Sequence, residues 1–142
     1  MTNRTFRIGE LAVLSGRSVH TIRWYEAQGL MPGVARDAGG RRVYREQHLG
    51  WLELMDRLRT TGMSIAEMRE YTALVKEGKG TLKRRHAQLA LHRERVQANI
   101  AELKLSVKLI ERKLKFYDEW IASGKQPGAW WPVPKKGDVA GR

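Results

Sequence analysis

The chain has 142 residues, enough for one domain of ordinary size plus an appendage. Its 27 Lys and Arg against 15 Asp and Glu leave a net charge of +12, which favours an acidic partner: nucleic acid or an anionic membrane. Cysteine is absent, excluding disulfides, thiolate metal sites, thiol redox sensing and iron–sulfur clusters. No run of about 18 apolar residues offers a membrane-spanning helix, and the opening MTNRTFRIGELA lacks the apolar core of a secretion signal. A soluble, cytoplasmic, basic protein is expected.

Residues 1–77 alternate short helical patterns with turn signals. Ile8, Leu11, Ala12 and Leu14 form the apolar face of a brief helix that Gly16 stops. Ser18 is placed to cap a second helix. On that helix Val19, Ile22 and either Tyr25 or Glu26 share one face, while His20, Thr21, Arg23 and Trp24 spread over the rest. Two short helices joined by a Gly-containing turn make a helix-turn-helix. Gly29 ends the second helix, and Pro32, Gly33, Gly39 and Gly40 punctuate a hairpin with strands around 34–36 and 42–44. A third helix over 46–59 packs Leu49, Leu52, Leu54, Met55 and Leu58 inward until Gly62 breaks it. Ser64-x-x-Glu67 is a capping box that opens a fourth. There Ile65, Met68, Tyr71, Thr72 and Val75 face the core, and Gly78 and Gly80 close the helix.

Residues 81–121 form one amphipathic pattern without Gly or Pro. Leu82, Leu89, Val96, Leu103, Ile110 and Tyr117 recur at heptad spacing; Ile100, Val107, Leu114 and Ile121 fill the complementary position. Earlier in the helix that second position holds His86 and Arg93, so the seam is dry only from Val96 onward. A helix of this length, about 60 Å, has no partner elsewhere in the chain. The expected structure is a homodimeric coiled coil using Val96, Ile100, Leu103, Val107, Ile110, Leu114, Tyr117 and Ile121, its direction left open by the heptads. Residues 122–142 turn to Gly, Pro, Lys and Trp. Adjacent Trp130 and Trp131 there are read either as the wall of an effector site or as packing on the fourth helix or coil, with packing favoured.

Between Ser15 and Arg45 lie six Arg and only two acidic residues, Glu26 and Asp37. A helix and a hairpin side by side in the chain, both rich in donors matched to phosphate, can read one groove of duplex DNA and grip the neighbouring backbone. Arg offers a planar fork to phosphate or guanine edges.

The ordered series helix-turn-helix, wing, two helices and long coil resembles the MerR family of bacterial transcription regulators. Residues 6–12 (FRIGELA) match its opening segment, 18–30 (SVHTIRWYEAQGL) look like its recognition helix, and 40–44 (GRRVY) are similar to its wing motif. The resemblance covers about residues 6–121, with two departures: Trp24 stands where Tyr is common, and Arg41 where the wing usually has an aromatic. It implies a mainly α fold with a small β wing: a winged helix-turn-helix DNA-binding domain followed by a long dimerisation helix. It implies base and phosphate contacts from Thr21, Arg23 and Tyr25, and wing contacts from Arg42 and Tyr44. Ser18, His20, Arg36 and Arg41 join them as expected DNA-binding residues, with Arg17 a weaker candidate; Tyr25 and Tyr44 can also be core residues with capped hydroxyls, the contact role being favoured and the two roles compatible. The implied action is that of a homodimer on a pseudo-palindromic promoter site, which it distorts so that RNA polymerase can engage, as activator or repressor.

No cofactor or metal site is expected. His86 and His92 do not share a helix face, His20 and His48 have no paired ligand nearby, and a small-molecule effector is the one ligand the resemblance leaves open. Lys83, Arg84 and Arg85 read as a solvated face. No catalytic constellation or phosphate-binding Gly loop argues for an enzyme. Two other readings remain: a non-specific architectural DNA-bending protein, and a coiled-coil adaptor.

Overall fold

The structure is a computed structural model and describes residues 4–129 and Lys136. Trp130 and Trp131 lie outside the described residues. The chain divides into two compact units, residues 1–92 and 93–142.

In the first unit, strand β1 (Thr5–Phe6) leads into helix α1 (Ile8–Ser15). The Arg7 backbone N–H donates to Glu10 Oε1 at 3.2 Å where α1 begins. Gly16 closes the helix in the left-handed conformation, φ 69°. Leu11 is buried and Ile8 and Ala12 pack against the core, whereas Leu14, expected on that face, is 50% exposed. The reason is geometric: Leu14 lies beyond the Leu11 edge, about 110° round the helix from the centre of the Ile8/Leu11/Ala12 stripe.

Helix α2 (Val19–Ala27) starts at Ser18, whose hydroxyl accepts from the Thr21 N–H at 3.1 Å. It buries Ile22 and Tyr25, and the chain leaves it through Gly29 at φ 75°. Strands β2 (Ala35–Arg36) and β3 (Arg42–Arg45) form the expected hairpin. Asp37 builds its turn, accepting from the N–H groups of Gly39 and Arg41 at 3.0 and 2.9 Å. β1 adds to the other side of β3, giving an antiparallel sheet in the order β1-β3-β2 with Phe6 opposite Tyr44 and Arg36 opposite Arg42.

Helix α3 (Gln47–Thr60) buries Leu52, Met55 and Leu58, and α4 (Ile65–Glu77) opens on the Ser64/Glu67 box, the Glu67 N–H donating to Ser64 Oγ at 3.1 Å. Met68, Tyr71 and Thr72 point inward as expected, joined by Leu74. Trp51 and Tyr71 stack between these helices with ring centres 5.7 Å apart. A 3-10 turn (Lys79–Thr81) leads to α5 (Leu82–Ser123), a single helix of 42 residues. Its opening turns belong to the first unit: Leu89 packs on the core and buried His92 bonds Thr61 at 2.8 Å.

In the second unit, the coil seam lies open in the single chain. Ile100, Leu103, Val107, Ile110, Leu114 and Ile121 are 46% to 82% exposed, and Val96 and Tyr117 are half-buried. At its far end Phe116, Tyr117 and Trp120 cluster, with Lys113 Nζ 4.6 Å from the Phe116 ring centre.

Candidate nucleic-acid interface

The sequence spacing Arg36/Arg41/Arg42 becomes a surface when the hairpin turns at Asp37. The wing then faces the start of α1 and the outer side of α2, enclosing a groove of ≈ 260 Å³ lined by Arg7, Arg23, Arg36, Arg41 and Arg42. Arg23 comes from α2, Arg7 precedes α1, and the other three lie on the hairpin. Among the described residues only two carboxylates, Asp37 and Glu26, pair with these five guanidiniums, so the groove keeps a cationic excess.

The five arginines differ in freedom. Arg7 Nη2 meets Asp37 Oδ2 at 2.5 Å and Arg42 Nε meets Glu26 Oε2 at 2.5 Å. Arg36 Nη1 donates to the Gly40 carbonyl at 2.7 Å, closing its own hairpin. Arg23 and Arg41 are exposed and make no side-chain hydrogen bond or ion pair among the described residues. The Arg7 hydrogen bond, with backbone help from Arg41 and Gly39, holds the Asp37 carboxyl below its usual range, so it is ionised near neutrality and fixes the turn.

Both tyrosines are core residues with capped hydroxyls, one of the two roles their positions allow. Tyr25 and Tyr44 are fully buried. The Tyr25 hydroxyl donates to Asp56 Oδ1 and the Tyr44 hydroxyl to Glu26 Oε1. Burial first, then the neighbouring carboxylate, pushes both phenols up, so both stay protonated donors. Tyr25 follows Ile22 by three residues and so shares its buried stripe. Tyr44 sits beneath β3 opposite Phe6. They position the interface from beneath, Tyr44 lining the arginine groove and Tyr25 the hollow on α2.

Asp56, on α3, also accepts from Arg17 Nε, and Arg59 Nε donates to the Tyr25 hydroxyl at 3.1 Å. Burial would raise the Asp56 carboxyl, but the Tyr25 and Arg17 hydrogen bonds outweigh it and bring it below its usual range. Arg17 in turn donates to the Ser15 carbonyl at 2.7 Å, so its guanidinium is occupied by the turn of the helix-turn-helix.

Ser18 is likewise spent on structure, its Oγ lying 3.1 Å from the Thr21 N–H and 2.9 Å from Thr21 Oγ1. His20 is exposed and Thr21 half-buried. With Trp24, Tyr25 and Arg59 they line a shallow hollow of ≈ 170 Å³ on α2. Sequence reasoning missed Arg7, Asp37, Asp56 and Arg59, whose partners lie 30 to 34 residues away. Among the described residues no group of three or more His, Asp or Glu could hold a metal ion, and no helix is long and apolar enough to cross a membrane.

This geometry agrees with three kinds of similarity. Residues 6–74 match the model of the MerR HTH family regulatory proteins. An HTH-type transcriptional regulator of Haemophilus influenzae is 34% identical over 120 residues, covering 84% of this chain and 89% of that one. The ZntR homologue of the same organism is 36% identical over 110 residues, covering 77% and 82%. Among solved structures, HiNmlR, a MerR family regulator lacking the sensor domain and bound to promoter DNA, superposes with TM-score 0.75 at 34% identity, covering 86% of this chain and 97% of that one. A MerR family regulator from Listeria monocytogenes gives 0.77 at 30%, covering 84% and 90%. The chain belongs to the MerR family and is a DNA-binding regulator of transcription with a winged helix-turn-helix fold.

Proposed function

We propose that the chain acts as a homodimer on a pseudo-palindromic promoter site, distorting the DNA so that RNA polymerase can engage both promoter elements. The observation that carries this reading is the arginine-lined groove beside the outer face of α2. Arg23 lines it with Arg41 and Arg42 of the wing, while Thr21 and His20 line a separate hollow on the same helix. In this reading Arg23 enters the major groove while Arg41 and Arg42 hold backbone phosphates. The open seam from Ile100 to Ile121 supports dimerisation, since a stripe of that length is stable in water only against a second copy.

Such a protein works in the cytoplasm, where the genome is, and not as an enzyme: the relatives reported above are regulators. Effector control, if there is any, falls to the fourth helix, the coil and the residues after it. That HiNmlR occupies promoter DNA without a sensor domain supports binding that needs no ligand.

Arg23→Ala and Arg42→Ala test the assignment by titration of a selected duplex at fixed salt. Each is expected to weaken binding about tenfold or more, as loss of a charged or bidentate contact requires, while sedimentation shows the oligomer unchanged. Wild-type affinity in both variants would overturn the assignment.

A further inference from the structure

Glu26 is a negative charge on a helix assigned to face a polyanion, beside a groove otherwise lined by guanidiniums. Its carboxylate is engaged at both oxygens. Oε1 accepts from the buried Tyr44 hydroxyl, and Oε2 lies 2.5 Å from Arg42 Nε as an ion pair. Tyr44 and Arg42 both belong to β3, so one side chain of α2 ties down the wing strand at two points.

The choice of nitrogen matters. Arg42 comes to Glu26 through Nε, and among the described residues its Nη groups make no hydrogen bond. The Arg42 side chain is 47% exposed and Glu26 only 13%, so the guanidinium lies between the carboxylate and solvent. Phosphate approaching from outside meets the arginine first, with the paired carboxylate behind it.

Asp56 provides the contrast. It too joins a buried tyrosine to an arginine, but Arg17 there turns Nη1 back to the Ser15 carbonyl at 2.7 Å. That cluster closes the turn inward, whereas the Glu26 cluster is built on an outward fork.

We propose that Glu26 is a positioning residue for DNA recognition: by holding the Tyr44 hydroxyl and Arg42 Nε together, it fixes the wing against α2 and aims the Arg42 Nη groups at a backbone phosphate. The proposal rests on the assignment of Arg42 to a phosphate. Because Glu26 itself repels DNA, simple electrostatics and positioning predict opposite signs for its removal.

The experiment uses the full chain and two probes, a duplex recovered by selection from random-sequence DNA and a scrambled duplex of the same composition. Glu26→Gln keeps the length of the side chain and removes its charge. Positioning predicts that it binds the selected duplex about tenfold more weakly, while the scrambled duplex is bound as well as before or more tightly. In the Arg42→Ala background the same change should alter selected-site binding by less than about twofold, the sign of a shared pathway. Selected-site binding as tight as wild type, or tighter, would overturn the proposal. If Arg42→Ala alone has no effect, the phosphate assignment fails and takes the proposal with it. If Arg42→Ala weakens binding but Glu26→Gln does not, only the positioning role falls. Should Glu26→Gln melt before it can be assayed, Glu26→Asp keeps the charge but shortens the reach. It is expected to lower the selected-to-scrambled ratio in the same way, and an undiminished ratio would overturn the proposal.

Discussion

Asp56→Ala should be among the more damaging single changes outside the apolar core. It removes the acceptor of the buried Tyr25 hydroxyl and of Arg17 Nε, and it takes away the carboxylate 3.6 Å from Arg59. The orphaned Tyr25 donor costs about 1–3 kcal/mol, because its ring is buried and water cannot replace the lost bond. The Arg17 pair keeps 20% and 21% side-chain exposure, so water recovers much of that interaction and its share is about 0–1 kcal/mol. The sum, about 1–4 kcal/mol, centres on about 2 kcal/mol, which corresponds to a fall of about 10 °C in the melting of a unit this size. Urea titration followed by tryptophan fluorescence reads it as a lower midpoint at unchanged slope. The carboxyl is held below the ordinary aspartate value of 3.8. Its contribution is therefore fully present above that pH and disappears as pH falls through the lower folded value, so wild type and Asp56→Asn should converge in acid. A loss below about 0.5 kcal/mol, or purely additive effects of Asp56→Ala and Tyr25→Phe, would refute the reasoning.

Three further outcomes are expected. Gly16 has φ 69° and nothing within 4 Å of where a Cβ would stand, so Gly16→Ala should cost about 1 kcal/mol through backbone conformation alone; an unchanged urea midpoint would contradict this. Arg41→Ala should make the salt dependence of DNA binding shallower by about 0.9 in slope per protomer, about 1.8 for the dimer, while leaving the ratio of selected to scrambled binding intact; a collapse of that ratio would make Arg41 a base reader. Leu103→Glu combined with Ile110→Glu should give a monomer in sedimentation and abolish site-specific binding with it. A DNA-competent monomer would contradict the dimer proposal.

Much of the fold was legible because its signals are local. Gly16 and Gly29 mark helix ends by backbone conformation, Ser18 and the Ser64/Glu67 pair cap helices within three residues, and heptads announce α5. β1 was not legible. Two residues carry no alternation, and only pairing with β3 makes them a strand. The site divided along the same line. Arginines clustered in sequence were found, while Tyr25–Asp56 and Arg7–Asp37, 31 and 30 residues apart, leave no periodic trace. The tyrosines show the limit most clearly: spacing alone places Tyr25 beside both the buried Ile22 and the exposed Arg23, and burial decides for the core.

The central claim, that the groove and α2 together read a specific duplex, is tested most directly by selecting genomic fragments with the purified chain and footprinting the bound DNA at moderate salt. The account predicts protection over one inverted repeat, with the weakest retention for Arg23→Ala and Arg42→Ala. Uniform protection along every fragment, with no shared sequence, would contradict it and leave a protein that grips DNA by charge alone.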